Sequence, residues 1–263
     1  MTALSGTVLL TGASGGIGRA IARAVAPMAG ELVLSGRRTD VLDSLAGELG
    51  ARVVACDLAV REDVARLAEQ AGPVDVLIAN AAVRSGGLLG DFSQEQIDQM
   101  LEVNLRAPIA LARALTPGMV ERRRGHVVLM SSLQGKATTP VSSIYCAAKF
   151  GLRGFALALR EDLRDDGIGV SVVLPGFIRD AGMFADSGTK LPFGVGTRSP
   201  EDVAGAVVSA VERNRAEVLV APVGLRLGTA AAAVAPALSA AVSRRLGSER
   251  IAAQIVAGQR ANR

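Results

Sequence analysis

The sequence predicts an α/β protein with a doubly wound, seven-stranded parallel sheet that has helices on both of its faces. Seven short runs rich in Val, Leu and Ile recur along the chain, and stretches with helical spacing alternate with them. Runs that are apolar throughout are typical of strands buried on both faces of a parallel sheet. Alternation of strands and helices then produces right-handed crossovers within one sheet.

The predicted strands cover residues 7–10, 31–35, 51–56, 74–79, 126–130, 168–174 and 217–221. The predicted helices between them cover residues 17–25, 39–49, 61–70, 104–123, 143–164 and 200–211. We find no internal repeat and no linker, so we predict a single domain over residues 1–263. Residues 177–199 lack clear periodicity and are predicted to form a mobile substrate lid. Residues 223–263 are predicted to form a C-terminal helical extension.

The composition excludes several classes of protein. The 263 residues are 49% apolar with a net charge of +4, so the chain can bury a core and is not disordered. Two cysteines cannot build a disulfide scaffold, and 3% aromatic residues leave few rings to stack on nucleic-acid bases. We expect no metal site, because His126 is the only histidine and no second ligand is near it in the sequence. The N-terminus lacks a signal-like segment, so we expect a cytoplasmic protein.

The C-terminal extension contains an uncharged stretch at residues 227–242. This stretch is shorter than the roughly 20 residues that span a membrane. We expect a helix that packs on the body of the protein or on a second subunit. Contact with a membrane surface, aided by Arg226, Arg244 and Arg245, is the alternative.

A glycine-rich motif, Thr11-Gly12-Ala13-Ser14-Gly15-Gly16-Ile17-Gly18, directly follows the first predicted strand and opens a helix. Glycines let the backbone approach a phosphate, and the helix N-terminus offers free N–H groups and a positive dipole end. This context predicts a dinucleotide site on a Rossmann-type fold. We expect it to use Gly12, Ser14, Gly16, Ile17 and Gly18.

The end of the second strand favours NADP over NAD. An acidic residue at this place usually takes the ribose hydroxyls of NAD. Here the chain reads Ser35-Gly36-Arg37-Arg38, and the first acid is Asp40. Guanidinium groups bind phosphate through a fork of donors, so Arg37 and Arg38 beside Ser35 suit a 2′-phosphate. The alternative is that both arginines are merely solvated at a helix start.

Polar residues follow the third and fourth strands. Asp57 could accept a hydrogen bond from the adenine amine, or it could simply cap the next turn. Asn80 and Ala81 follow the fourth strand, and ligands of open α/β sheets bind at such carboxyl ends.

The spacing of Tyr145 and Lys149 predicts acid–base chemistry. Tyr145 is the only tyrosine, and one of three lysines lies four residues later, on the same face of a helix. An ammonium about 5 Å from the phenol should lower its pKa from about 10 by roughly two units. The phenol could then exchange a proton near neutral pH. Ser132, at the end of the fifth strand, could hydrogen-bond the substrate oxygen, and Ser131 should point to the opposite face.

Together these motifs resemble the short-chain dehydrogenase/reductase family, in its short single-domain branch. The resemblance covers about residues 5–222 and includes Asn104 and Pro175-Gly176. It implies that Tyr145 is the general acid/base, that Ser132 positions the carbonyl or hydroxyl, and that Lys149 binds the nicotinamide ribose. It implies that Asn104 holds a water in a proton relay. The cofactor contacts that it implies also include Leu58, Tyr145, Lys149, Pro175, Gly176 and Ile178.

The resemblance also implies a strand order of 3-2-1-4-5-6-7. It implies homodimers or homotetramers that pack through the helices matching residues 104–123 and 143–164. One departure is Asp180, which stands where family members often carry a Thr that touches the nicotinamide amide. A carboxylate at this position can still accept a hydrogen bond from the amide nitrogen.

The expected function is NADP-dependent interconversion of a ketone or aldehyde with an alcohol. The predicted lid carries Phe177, Met183, Phe184, Leu191 and Phe193, so the small-molecule substrate is expected to be apolar. A non-catalytic protein that senses dinucleotides is the main alternative, although such a protein would normally have lost the Tyr or the Lys. A sugar-nucleotide epimerase is disfavoured, because the glycine spacing and the larger substrate domain of that branch are missing.

Overall fold

A parallel β-sheet forms the centre of the protein. The computed structural model describes residues 3–83, 86–189, 191, 195–245 and 248–261. Within these residues, seven strands pair in parallel in the order β3-β2-β1-β4-β5-β6-β7. They are β1 (Thr7–Thr11), β2 (Glu31–Gly36), β3 (Arg52–Ala55), β4 (Val76–Ala79), β5 (Gly125–Met130), β6 (Ile168–Pro175) and β7 (Glu217–Val220). The predicted fold class and strand order are confirmed.

Helices cover both faces of the sheet. The helices α1 (Gly16–Val25), α2 (Thr39–Leu49) and α8 (Pro200–Glu212) share one apolar core with strand residues such as Val8 and Leu10. The helices α3 (Arg61–Ala71), α5 (Ala107–Glu121) and α6 (Ser143–Asp162) share the other core with residues such as Leu9. Successive strand side chains point to opposite faces, which explains why the strands are apolar throughout. Each fully buried Val or Leu contributes about 1.5–3 kcal/mol to stability.

The region before α5 differs from the prediction of one helix over residues 104–123. The helix α4 (Gln94–Leu101) comes first, and a turn of π-helix over Glu102–Arg106 joins it to α5. Ser93 caps α4, because its hydroxyl accepts from the Gln96 amide while the Gln96 side chain accepts from the Ser93 amide. We missed α4 because its sequence, QEQIDQML, has few apolar residues. The capping pair Ser93–Gln96 was the available signal.

The predicted lid is closed at its base by hydrogen bonds. The Arg198 amide donates to the Phe177 carbonyl at 2.9 Å, and the Arg179 amide donates to the Arg198 carbonyl at 2.9 Å. The segment also contains a short helix, α7 (Gly182–Ala185), and the rings of Phe177 and Phe184 lie 5.0 Å apart. Phe193, which we expected in the lid, lies outside the described residues.

The C-terminal extension consists of more than one helix. The described part contains α9 (Val223–Val234), α10 (Pro236–Arg245) and α11 (Ser248–Ala261). Pro236 stands at the first position of α10, where a missing N–H costs nothing and a continued helix would lose a hydrogen bond. Among the helices that the structure describes, none combines the length and apolar character needed to cross a bilayer.

Candidate active site

The glycine-rich loop between β1 and α1 is shaped by close backbone contacts. Gly12 has a φ of 66°, and a Cβ there would lie 2.6 Å from the Ala81 Cα atom. A Cβ on Gly18 would lie 2.1 Å from the Gly12 carbonyl oxygen, and one on Gly16 would lie 2.5 Å from the Ala181 Cβ. A Cβ on Gly15 would lie 3.5 Å from the Gly12 carbonyl oxygen, which is an ordinary contact. The loop therefore presents a bare backbone surface at the N-terminus of α1, which fits a pyrophosphate group.

Asn80 supports this loop from the end of β4. Its side-chain amide donates to the carbonyl oxygens of Thr11 and Gly12, each at 3.2 Å. The Thr11 hydroxyl accepts in return from the backbone amides of Asn80 and Ala81, at 3.2 and 3.3 Å. Asn80 and Ala81 thus lie beside the glycines, as expected. The amide group of Asn80 binds protein backbone, so its side chain acts on the cofactor site by holding the loop.

The residues expected to select the cofactor meet at the carboxyl ends of β2 and β3. Arg38 donates to the Ser14 carbonyl at 2.6 Å, so its guanidinium lies against the glycine-rich loop. Arg37 is 63% exposed, and its Nη1 atom is 4.0 Å from Oδ2 of Asp57. The side chain of Ser35 is buried, so this hydroxyl does not stand beside the arginines at the surface.

Asp57 has the capping role that the sequence offered as one of two alternatives, and its contact with the adenine amine stays a prediction. Its Oδ1 atom accepts from the Ala59 amide at 3.0 Å and so caps the following turn. Its Oδ2 atom faces Arg37 in a side chain that is partly exposed. The side chain of Leu58 is buried in the core, which leaves only its backbone for a ligand.

Tyr145 and Lys149 lie together on α6 beside the end of β5. The Lys149 ammonium is 5.5 Å from the centre of the Tyr145 ring. It also donates to the Met130 carbonyl at 2.9 Å, and its side chain is 2% exposed. The Ser132 hydroxyl lies close enough to the phenol of Tyr145 to oppose the rise in its pKa. The three predicted catalytic groups therefore form one contiguous cluster.

Ser131 and Ser132 have different roles, as their alternation along the chain predicts. The Ser131 hydroxyl is buried and donates to the Lys149 carbonyl at 2.9 Å, which anchors α6 to the end of β5. Ser132 accepts from the Gln134 amide at 3.1 Å and lies 3.5 Å from the Pro175 carbonyl at the end of β6. Ser132 is thus the serine that reaches the phenol.

The expected lowering of the Tyr145 pKa is wrong for the protein without ligands. Burial raises the pKa of Tyr145 to about 12, although the hydrogen bond from Ser132 opposes this rise. Burial also lowers the pKa of Lys149 to about 8. The prediction from the sequence considered only the electrostatic attraction between the ammonium and the phenolate. It left out the free-energy cost that burial imposes on the charged form of each group. The ammonium also lies over the ring face and is engaged by Met130.

Asn104 lies in the π-helical turn and is fully buried. Its Oδ1 atom accepts from the Val83 amide at 3.2 Å, and its Nδ2 atom donates to the Val83 carbonyl at 3.1 Å. The side chain thus fixes the segment after β4. Each end of the amide keeps one further donor or acceptor position, so the expected contact with a relay water stays a prediction.

The residues after β6 lie between the turn that follows Ser132 and the base of the predicted lid. A Cβ on Gly176 would lie 2.9 Å from a methyl group of Leu133, so the backbone after Pro175 approaches the Ser132 turn closely. Ile178 is buried under the base of the lid. Asp180 has a φ of 65° and pairs with Arg179 at 3.4 Å, with its side chain largely exposed. Contact between Asp180 and the carboxamide stays a prediction.

A cavity of about 470 Å³ adjoins the catalytic helix and was not predicted from the sequence. Its described lining has no charged side chain and consists of Gly87, Leu88, Leu89, Thr138, Thr139, Pro140, Val141, Ser143 and Cys146. Val141 has a φ of 53°, which is strained for a β-branched residue, and its carbonyl accepts from the Gly87 amide at 2.8 Å. Burial raises the pKa of the Cys146 thiol, which disfavours a nucleophilic role.

His126 lies near the start of β5, at the opposite end of this strand from Ser132. Its ring is buried, its Nε2 atom is 2.8 Å from the Ser171 hydroxyl, and burial lowers its pKa to about 4. Within the described residues, no group of three His, Cys, Asp or Glu side chains is arranged to hold a metal ion.

Comparison with known proteins finds similar sequences among the short-chain dehydrogenases. The profile of the short chain dehydrogenase family matches residues 6–191. Ketoacyl reductase HetN of Nostoc sp. is 37% identical over 230 residues, which are 84% of this chain and 80% of the relative. The 3-oxoacyl-(acyl-carrier-protein) reductase FabG of Rickettsia felis is 35% identical over 175 residues, which are 66% of this chain and 73% of the relative.

A solved structure extends the likeness to the fold. The short-chain dehydrogenase from Sphingobium yanoikuyae in complex with NADPH superposes with a TM-score of 0.75 at 28% identity, covering 89% of this chain and 95% of that one. The match of the family profile to most of the chain, with the fold and the site geometry, shows that this protein is an oxidoreductase of the short-chain dehydrogenase/reductase family.

Proposed function

We propose that the protein is an NADP-dependent oxidoreductase that interconverts an apolar ketone or aldehyde with the corresponding alcohol. The observation that carries this proposal is the grouping of one phenol, that of Tyr145, with the Ser132 hydroxyl, which acts on its pKa, and the Lys149 ammonium, which lies 5.5 Å from its ring centre. This cluster lies at the carboxyl ends of β5 and β6, the edge of the sheet where β1 also ends in the glycine-rich loop. Ligands of open α/β sheets bind along this edge.

Each polar group in the cluster has a role in carbonyl reduction. When bound, the nicotinamide supplies or accepts the hydride. Tyr145 donates its proton to the carbonyl oxygen as the alcohol forms, and Ser132 donates a hydrogen bond to the same oxygen. The Lys149 ammonium favours the phenolate that remains. An ammonium has three donors, so its contact with Met130 leaves capacity for the ribose hydroxyls.

The raised pKa of Tyr145 favours reduction at neutral pH. A phenol with a pKa of about 12 is protonated there and can act only as a proton donor. Alcohol oxidation needs the phenolate, so its rate should rise with pH. The same residues serve both directions, and the pH decides which protonation state is present.

The cofactor residues support NADP. The backbone surface around Gly15 fits the pyrophosphate, and Arg37 and Arg38 stand at the end of β2 with no carboxylate in the position that takes the NAD ribose. The Sphingobium relative in complex with NADPH is consistent with this choice. Arg37 faces Oδ2 of Asp57 at 4.0 Å, in a pair that is exposed. A 2′-phosphate would give Arg38 an anionic partner and Arg37 a second one.

The substrate side of the site supports an apolar substrate. The cavity against α6, at Ser143 and Cys146, is also lined by apolar side chains and hydroxyl groups, and its described lining has no cation that would pair with a substrate carboxylate or phosphate. Phe177 and Phe184 add an aromatic pair from the lid. Two relatives carry names for ketoacyl reduction, which places 3-oxoacyl thioesters among the substrates to test.

The experiment is a calorimetric titration with NADPH and NADH, followed by turnover assays. We expect NADPH to bind at least tenfold more tightly, and Arg37→Ala/Arg38→Ala to abolish this difference. Arg213→Ala is the matched control, because Arg213 is exposed at the end of α8. Equal affinity of the wild-type protein for both dinucleotides would contradict the choice of NADP.

Turnover is then measured with 3-oxoacyl thioesters, cyclic ketones and charged keto acids. We expect NADPH consumption with the neutral, apolar ketones and little with the charged acids. Tight NADPH binding without turnover of any carbonyl compound would instead support a dinucleotide-sensing protein.

We further propose a homodimer or homotetramer that packs through α5 and α6. Phe150 on α6 is a large apolar side chain that stays exposed in the single chain, and burying it would favour association. Sedimentation of wild type and Phe150→Ser tests this assembly. We expect the variant to dissociate at a higher concentration than the wild type.

A further inference from the structure

The helices α9 and α10 leave apolar side chains uncovered. The described residues include nine large apolar side chains classed as exposed, and five of them belong to these two helices. They are Val223, Leu227, Val234, Leu238 and Val242, with exposures between 49% and 87%. Such a concentration on a monomer is unusual and marks a surface that contacts something else.

The uncovered residues of each helix form a stripe. At about 100° per residue, Val223, Leu227 and Val234 fall within an arc of about 40° on α9. The opposite side of α9 packs on the protein through Thr229, which is buried and donates to the Leu225 carbonyl at 2.7 Å. On α10, Leu238 and Val242 are one turn apart and share their face with Arg245.

The charged residues within α9 and α10 are all positive. Arg226, Arg244 and Arg245 are exposed, and no Asp or Glu occurs between Glu217 and Glu249. A symmetric contact between two copies would bring these arginines together without an acid to pair with them. An anionic lipid surface complements both the charge and the apolar stripes.

We propose that the exposed stripes of α9 and α10 form a docking surface for anionic membranes. The two helices lie in the interface, with Val223, Leu227, Val234, Leu238 and Val242 inserted among the acyl chains and the arginines at the headgroups. The helices have 12 and 10 residues, so they are too short to span the bilayer and suit a position along its surface. This docking is independent of the chemistry at Tyr145.

The experiment is sedimentation of the full chain with vesicles. Vesicles of phosphatidylcholine and phosphatidylserine in equal parts are compared with vesicles of phosphatidylcholine alone at low salt. We expect binding to the anionic vesicles and weak binding to the neutral ones, with a decrease when salt is added. The affinity of the variant Arg226→Glu/Arg245→Glu for the anionic vesicles should fall by at least roughly fivefold for each arginine, because each substitution removes a cation from the headgroup region.

The variant Leu227→Asp/Leu238→Asp tests the apolar contribution to binding. Its affinity for the anionic vesicles should fall by about tenfold or more for each leucine. Arg213→Glu/Arg215→Glu is the matched control for charge, because it reverses two exposed arginines after the end of α8, and it should bind as the wild type does. Thermal unfolding of each variant verifies the fold, and these exposed positions should tolerate the changes.

Three outcomes would overturn the proposal. One is binding that is equal for all variants or equal for neutral and anionic vesicles. Another is failure to bind together with a concentration-dependent increase in mass that Leu227→Asp/Leu238→Asp abolishes, because the surface would then join two copies. The third is failure to bind by a protein whose mass at each concentration is the same with and without the Leu227→Asp/Leu238→Asp changes.

Discussion

The buried ammonium of Lys149 should set the pH dependence of carbonyl reduction. Burial lowers the pKa of this group from 10.5 to about 8, so it loses its charge roughly two and a half pH units earlier than a lysine in water. The neutral amine no longer favours the phenolate that Tyr145 leaves after giving up its proton. The kcat/KM for reduction should therefore be level below pH 8 and fall about tenfold per pH unit above it.

The assay follows NADPH absorbance at saturating cofactor from neutral pH to above pH 10. Tyr145, with a pKa of about 12, stays protonated over most of this range, so the fall reports Lys149. Lys149→Arg keeps a positive charge to higher pH and should shift the fall upward. Lys149→Met should give a low rate without a break. A wild-type profile that stays level to above pH 10 would refute the reasoning, because it would mean that the lysine is not perturbed.

Three further predictions follow from buried contacts. Folding lowers the pKa of His126 from 6.5 to about 4. As the pH is lowered, the unfolded chain therefore gains a proton before the folded protein does. The free energy of unfolding should drop by about 3 kcal/mol as the pH falls from 6.5 to 4. Urea titrations at several pH values measure this drop, and His126→Asn should lack it. A Cβ on Gly258 would lie 1.9 Å from the Ser187 carbonyl oxygen, so Gly258→Ala should displace α11 from the lid and lower stability by about 1–3 kcal/mol. Gly228→Ala, with nothing near its Cβ, should be neutral or stabilising, and equal melting temperatures for both variants would contradict this contact. Asn104→Ala removes both hydrogen bonds to Val83, so it should lower the free energy of unfolding by about 1–3 kcal/mol and also lower kcat. A variant with wild-type stability and kcat would show that the π-helical turn does not need these hydrogen bonds.

The sheet was predictable because its pattern is local. Each strand is a short run of Val, Leu and Ile that needs only burial on both faces, and the predicted ends differ from the observed ones by at most two residues. The helix α4 was not predicted, because its stability comes from the Ser93 cap and from packing rather than from apolar periodicity. The π-helical turn that buries Asn104 also has no simple pattern in the sequence.

The residues of the catalytic cluster were predicted from the sequence, but the direction in which the Tyr145 pKa shifts was not. The i, i+4 spacing of Tyr145 and Lys149 places both on one helical face whatever surrounds them, so their proximity follows from the sequence. The direction of each pKa shift depends on how much protein covers the groups, which only the tertiary structure shows. For the same reason, the backbone partners of Asn80 and Asn104 were not predicted.

The most direct test of the proposed chemistry is the kinetics of Tyr145→Phe. This change removes one hydroxyl from the only tyrosine and leaves the ring under Lys149. We predict that kcat for ketone reduction falls by about 10²–10⁴-fold while the calorimetric Kd for NADPH changes less than twofold. A variant that turns over its ketone as fast as the wild type would contradict proton donation by Tyr145.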